Sequence, residues 1–216
     1  MQRILSMICA LAASTLALAP VAQATDAPPA HHIRGTVTKA TPRELTIQTA
    51  TGSVILPIDA KTGVIGVVPA TAAEITSGTF IGTANVPGAS SMSARALEVV
   101  VFPQSMAGAG EGDYPWDLPA GKGHSSMTNG TVGPSHGSMM TNATVTGVNN
   151  GAVKTVTLEY KGGSKKVTIA PGTPIVRIVP GSKSLLATGA HVVAFPGPSG
   201  TAARIVVGEE GVTPPM

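Results

Sequence analysis

Val64-Ile65-Gly66-Val67-Val68-Pro69 and Ile175-Val176-Arg177-Ile178-Val179-Pro180 are the two stretches that decide the fold. Each is a short β-branched run closed by proline, and the second lies 111 residues after the first. Working outward, the neighbourhoods match as well. Thr36-Val37-Thr38 corresponds to Thr144-Val145-Thr146, and Leu45-Thr46-Ile47 to Val156-Thr157-Leu158. Gly78 corresponds to Gly189, and Leu97-Glu98-Val99 aligns with Ile205-Val206-Val207. Order and spacing both hold from Gly35–Val101 to Ala143–Gly208, so the chain carries an internal repeat.

Each copy reads as about five strands. Leu45 and Ile47 alternate with Glu44, Thr46 and Gln48, the period of a half-buried strand. In the second copy Val156 and Leu158 alternate with Thr155, Thr157 and Glu159. Thr71-Ala72-Ala73-Glu74 has the spacing of a capping box, which predicts one helical turn ended by Gly78. Three strands, a short helical insert and two more strands is the order of an OB-type barrel. The expectation is therefore an all-β chain of two tandem five-stranded OB-like small barrels joined by a Gly/Ser/His/Met-rich linker. The boundaries are a signal peptide over 1–24, a first β-domain over 31–103, the linker over 104–141 and a second β-domain over 142–209. The expected inward positions include Val37, Leu45, Ile47, Leu56, Val67, Ile81, Leu97 and Val99, then Val145, Val156, Leu158, Ile178, Val192 and Ile205.

Composition agrees with short strands and tight turns. Gly (26) and Pro (18) are abundant, while charged residues make up 12% and aromatics 3% of the chain. The N-terminus reads as a secretory signal: Arg3, an apolar run from Ile4 to Ala19, and Ala22-Gln23-Ala24 as the small-x-small cleavage pattern. This predicts a periplasmic location, with no membrane insertion once the signal is removed. Cys9, the one cysteine, lies in the signal and follows Ile8, which does not suit lipidation. The mature chain then has no thiol chemistry. It keeps 13 basic against 11 acidic residues, too weak a bias to imply nucleic acid.

Catalytic signatures are missing. The sequence has no His-Glu-x-x-His and no Gly-x-Ser-x-Gly, and Gly121-Lys122-Gly123 lacks the hydroxyl residue a phosphate loop needs after its Lys. The expectation is a non-catalytic binding or interaction module, its partner an unidentified envelope protein or small ligand. Two linker features are candidate sites. Asp113, Tyr114, Trp116 and Asp117 bracket Pro115 and contain the single Trp. They could stack on a planar or sugar-like ligand; equally, the rings could be a latch that fixes the linker against a barrel. His124, Met127, His136, Met139 and Met140 supply imidazole and thioether, ligands suited to copper. That gives the alternative function, a copper-handling protein, with no other cofactor implied. Against it, Ser126-Met127-Thr128-Asn129 resembles Met139-Met140-Thr141-Asn142, so a local duplication accounts for the paired residues. His31-His32 reads as the solvated start of a strand.

The Gly35-Thr36-Val37 start, the Gly66-Val67-Val68-Pro69 strand and Leu97-Glu98-Val99-Val100-Val101-Phe102-Pro103 carry a resemblance. So do Gly110-Glu111-Gly112-Asp113-Tyr114-Pro115-Trp116-Asp117, Met140-Thr141-Asn142-Ala143-Thr144-Val145 and Tyr160-Lys161-Gly162-Gly163. Together they resemble a group of bacterial exported proteins of unknown function with paired OB-like domains. Such chains are sometimes labelled metal ABC-transporter permeases. The resemblance implies the fold and the compartment and brings no catalytic residues. The permease label fits badly, since a permease needs several spans and none follows the signal.

Overall fold

A computed structural model of the chain describes residues 32–88, 90, 92–116 and 138–215. The expected signal peptide, Asp117 and most of the expected linker lie outside those residues. The described chain is all-β. Its strands are β1 (Ile33–Ala40), β2 (Glu44–Thr49), β3 (Gly52–Pro57), β4 (Gly63–Pro69), β5 (Phe80–Pro87), β6 (Ser93–Val101) and β7 (Gly112–Pro115). Then come β8 (Met139–Asn150), β9 (Lys154–Tyr160), β10 (Gly163–Ile169), β11 (Ile175–Pro180), β12 (His191–Pro196) and β13 (Ala202–Gly208). Short 3-10 turns at Ala72–Glu74 and Lys183–Leu185 follow β4 and β11. The first is closed as its sequence requires: the Thr71 N–H donates to Glu74 Oε1 at 3.0 Å. Gly78 and Gly189 then turn the chain at φ 87° and 92°, values that a side chain would strain. No helix among the described residues is long and apolar enough to cross a membrane.

Pairing between the strands follows a different plan from one barrel per copy. β8, β9 and β10 of the second copy form a ring with β5 and β6 of the first. β5 pairs antiparallel with β8, and the ring closes where Val167 of β10 meets Ala94 of β6 in parallel register. Reciprocally, β1, β2 and β3 of the first copy join β12 and β13 of the second. The two copies have exchanged their last two strands. The expectation of two tandem barrels is corrected accordingly: each half of the molecule contains strands from both copies. β4 and β11, which lead to the exchanged strands, run antiparallel to each other between the halves.

Only one of the two rings closes by a strand ladder. β3 pairs with β2 alone among the described strands. Pro57 occupies the place that Thr168 holds in β10, and it has no N–H to donate. β13 also begins at Ala202, so Ser199-Gly200-Thr201 turns where β6 is already extended at Ser93-Ala94-Arg95. Proline on a short edge strand also deters pairing with another chain.

Three hydrophobic clusters follow from this plan. Val37, Leu45, Ile47, Leu56, Val192 and Ile205 fill the open half. Ile81, Val99, Val145, Val156, Leu158 and Val167 fill the closed barrel. Val67, Val100, Val176, Ile178, Val193 and Val206 form a third cluster between the halves. Burying each such side chain contributes about 1.5–3 kcal/mol. The expected inward positions are buried, with one correction. Leu97 is only part-buried, because it is the extra residue of a β-bulge: Ala84 pairs with Glu98 and Asn85 with Ala96, skipping Leu97. The bulge shifts the alternation, so Ala94 and Ala96 point inward on one side of it and Val99 on the other.

Candidate functional site

Part of the expected linker is built into the fold. β7 pairs antiparallel with the start of β8, placing Asp113 opposite Thr141 and Tyr114 opposite Met140. β8 itself begins at Met139, three residues before the expected boundary. Alternation along these two strands then sorts the candidate residues onto opposite faces. Asp113 and Thr141 face the end of the closed barrel. Tyr114, Met140 and Asn142 face the space between the halves.

At the barrel end Asp113 is a structural charge. Its two carboxylate oxygens each accept from Lys165 Nζ at 2.6 Å, and Oδ1 also accepts from Thr141 Oγ1 at 2.6 Å. The side chains of Lys165 and Asp113 are 11% and 18% exposed. Asn85 Nδ2 donates to Thr141 Oγ1 at 2.9 Å and to the Thr83 carbonyl at 2.9 Å. A nearly dry ion pair is favourable only where further hydrogen bonds support it; Thr141 and, behind it, Asn85 supply part of that support, while Asn85 Oδ1 is itself buried without a partner. Asp113 is thereby held by Lys165 and Thr141 on the barrel side, apart from the rings of Tyr114 and Trp116.

On the other face the rings form a row. Tyr114 meets Trp116 edge-on at 6.2 Å between centroids. Trp116 packs on His32 at 4.4 Å, and His32 packs on Phe195 at 4.5 Å. Phe102 completes the enclosure and is itself braced edge-on by Phe80 at 5.3 Å. Together with Ile65, Met140, Ile178 and Val206 they line a half-open cavity of about 280 Å³. Four of the chain's six Phe, Tyr and Trp residues therefore stand around one space.

The polar edge of the cavity is specific. Asn142 Nδ2 donates to the Tyr114 hydroxyl at 2.9 Å and to the Gly110 carbonyl at 3.0 Å. Gly82 makes room for this, since a Cβ there would collide with the Asn142 amide and press on the Phe102 ring. Burial raises the Tyr114 pKa above its ordinary value, so the hydroxyl stays a neutral donor. Trp116 Nε1 is buried with no hydrogen-bond partner. Arg204 lies on the cavity lining beside Phe195, its cross-strand neighbour.

Against the sequence reading, Tyr114 and Trp116 are brought together, Asp113 is turned away, and Asp117 lies outside the described residues. His32 is corrected: it is wedged between two rings instead of standing in solvent. Its reach to Phe195 depends on the strand exchange, which no local pattern signals. Of the candidate copper ligands, His124, Met127 and His136 lie outside the described residues. Met139 and Met140 are successive in β8 and project to opposite faces; Met140 is 1% exposed in the cavity wall. The two thioethers do not converge. Among the described residues no three His, Cys, Asp or Glu side chains are grouped to hold a metal. No protein-family model, curated protein or solved structure matches the chain.

Proposed function

We propose that this chain is an exported, non-catalytic binding module whose site is the aromatic cavity between its two halves. The observation that carries this reading is the concentration of rings. A chain with 3% aromatic residues places Phe102, Tyr114, Trp116 and Phe195, with His32, around one half-open space. Phe102 and Phe195 also pack on the edge of the cluster between the halves, but Tyr114 and Trp116 belong to none of the three hydrophobic clusters, so core packing gives no reason for their position. Small-molecule sites are concave, mostly apolar and furnished with a few polar groups, usually at junctions between parts of a fold. A volume of about 280 Å³ suits a ligand of one ring and a short side chain. Export rests on the N-terminal pattern of Arg3, the apolar run and Ala22-Gln23-Ala24.

The single Trp makes the test direct. The indole N–H resonance of Trp116 is followed while a panel of single-ring compounds is titrated into the protein. Saturable shifts that disappear in Ala109→Phe, which fills the cavity from its exposed rim, are the expected result. A panel that produces no saturable shift removes the binding reading and leaves the rings as a latch.

A further inference from the structure

We propose that the cavity is selective for a small flat-bodied carboxylic acid, an inference that rests on the binding reading above and adds the class of ligand. The apolar body would lie against Trp116, Phe195 and Met140. The carboxylate would accept from Arg204 and from Trp116 Nε1.

Among the described residues two donors on side chains of the lining have no protein acceptor, one buried on Trp116 and one on Arg204, which is exposed at the cavity's edge. Trp116 Nε1 is buried and makes no hydrogen bond. An indole N–H taken out of water without a partner is costly, on the order of 1–3 kcal/mol, and it can only donate. Arg204 makes no ion pair with a carboxylate among the described residues. The other polar groups at the edge are already committed to one another, Asn142 to Tyr114 and Gly110. Among the described residues the lining includes no Asp or Glu. A ligand that supplies acceptors and negative charge satisfies both free donors.

The same facts weigh against the other ligand that rings favour. An aromatic cage for a quaternary ammonium works by surrounding the cation with ring faces. Here Arg204, an exposed side chain, stands on the lining and no Asp or Glu among the described residues does, so a second cation would be disfavoured. Arg204 is also a position where the two copies differ: the equivalent residue of β6 is Glu98. Phe195 likewise stands where β5 has Ala84. The pseudo-symmetry of the fold therefore does not account for either residue.

Three probes of one shape separate the possibilities: 3-phenylpropionate, 3-phenylpropanol and 3-phenylpropylamine, each titrated against the Trp116 indole resonance in the full-length mature protein. The acid should bind at least tenfold more tightly than the alcohol, move the indole proton downfield, and lose that advantage in Arg204→Gln. The amine should bind more weakly than the alcohol. Acid and alcohol binding equally would overturn the ligand class while leaving the binding site intact. Tightest binding by the amine would overturn it in favour of a cation cage. If none of the three binds, yet other ring compounds in the panel do, the class also falls. Failure of the whole panel is instead failure of the binding reading.

Discussion

Val67 of β4 and Ile178 of β11 lie directly opposite each other, and every other pair in that ladder is symmetric about them. Ile65 meets Pro180 as Val176 meets Pro69, and Gly66 meets Val179 as Arg177 meets Val68. The internal two-fold of the repeat passes between the two side chains. Both are buried in the cluster that joins the halves. Because each half also borrows two strands, neither copy can keep its core without the other. Urea unfolding should therefore be a single transition, with coincident curves from Trp116 fluorescence and far-ultraviolet circular dichroism. Ile178→Ala should cost about 2–5 kcal/mol and shift both curves together. Two separated transitions would show that the halves are independent.

Lys165 and Asp113 form the most enclosed ion pair described, 2.6 Å apart at the barrel end. Removing one partner strands the other in a site shielded from water, which costs about 3–5 kcal/mol. Lys165→Met should show that loss in urea denaturation. The double variant Lys165→Met/Asp113→Asn should recover much of it, because no charge is then left unpaired. A double variant as weak as the sum of the singles would mean that the two charges do not act as a pair.

Leu97 and Leu158 look equivalent as leucines in alternating strands, but only Leu158 is in the core. Leu158→Ala should cost about 2–5 kcal/mol. Leu97→Ala, at the bulge, should cost under about 1 kcal/mol, the range of substitutions outside the packed interior. Equal losses would place Leu97 in the barrel and remove the bulge.

The bulge also marks where the sequence stops being informative. Strand positions follow from local alternation and turn residues, so β1 and β2 match the expected Ile33–Ala40 and Glu44–Thr49. A bulge adds one residue without a local signature, and it occurs in both copies: β12 pairs Phe195 with Arg204 and Pro196 with Ala202, skipping Ala203. Pairing the last strands through β5 and β12 makes Val99 the equivalent of Ile205, two residues from the Leu97 alignment. A two-residue slip preserves the face of each side chain, so periodicity could not detect it. The exchange of strands was invisible for a different reason. Similar hydrophobic patterns in the two copies allow β5 and β6 to close either barrel, and only three-dimensional pairing chooses between them. The site suffers from the same ambiguity: Tyr114 and Trp116 are legible as a cluster, while His32, Phe195 and Arg204 join them only through the exchange.

For copper, the separation of Met139 and Met140 onto opposite faces gives a defined expectation. A copper(I) titration in competition with a chelator should return the same affinity for the wild type and for Met139→Leu/Met140→Leu. Leucine replaces thioether at nearly constant volume, so the fold is retained. Tight binding lost in that variant would mean that β8 opens to present both sulfurs, and would favour the metal-handling alternative.

The two tyrosines should titrate late. Burial raises the Tyr114 pKa above the ordinary 10.0. The Tyr160 pKa is raised first by burial and then by the negative charge of Asp113. In the unfolded chain both hydroxyls ionise near 10.0. A phenol whose folded pKa is raised contributes stability that is complete below the unfolded pKa and is lost as pH rises through the folded pKa. Stability should therefore be level on this account below pH 10 and fall above it, as the unfolded chain releases its protons first. Ultraviolet titration of phenolate in the native protein should place both midpoints above 10.0, and Tyr114→Phe should remove one of them. In Asp113→Asn, checked for its fold by circular dichroism, the Tyr160 midpoint should drop part of the way, since burial remains. An unshifted native titration would show that the Tyr114 hydroxyl is open to water, and with it the polar edge of the cavity.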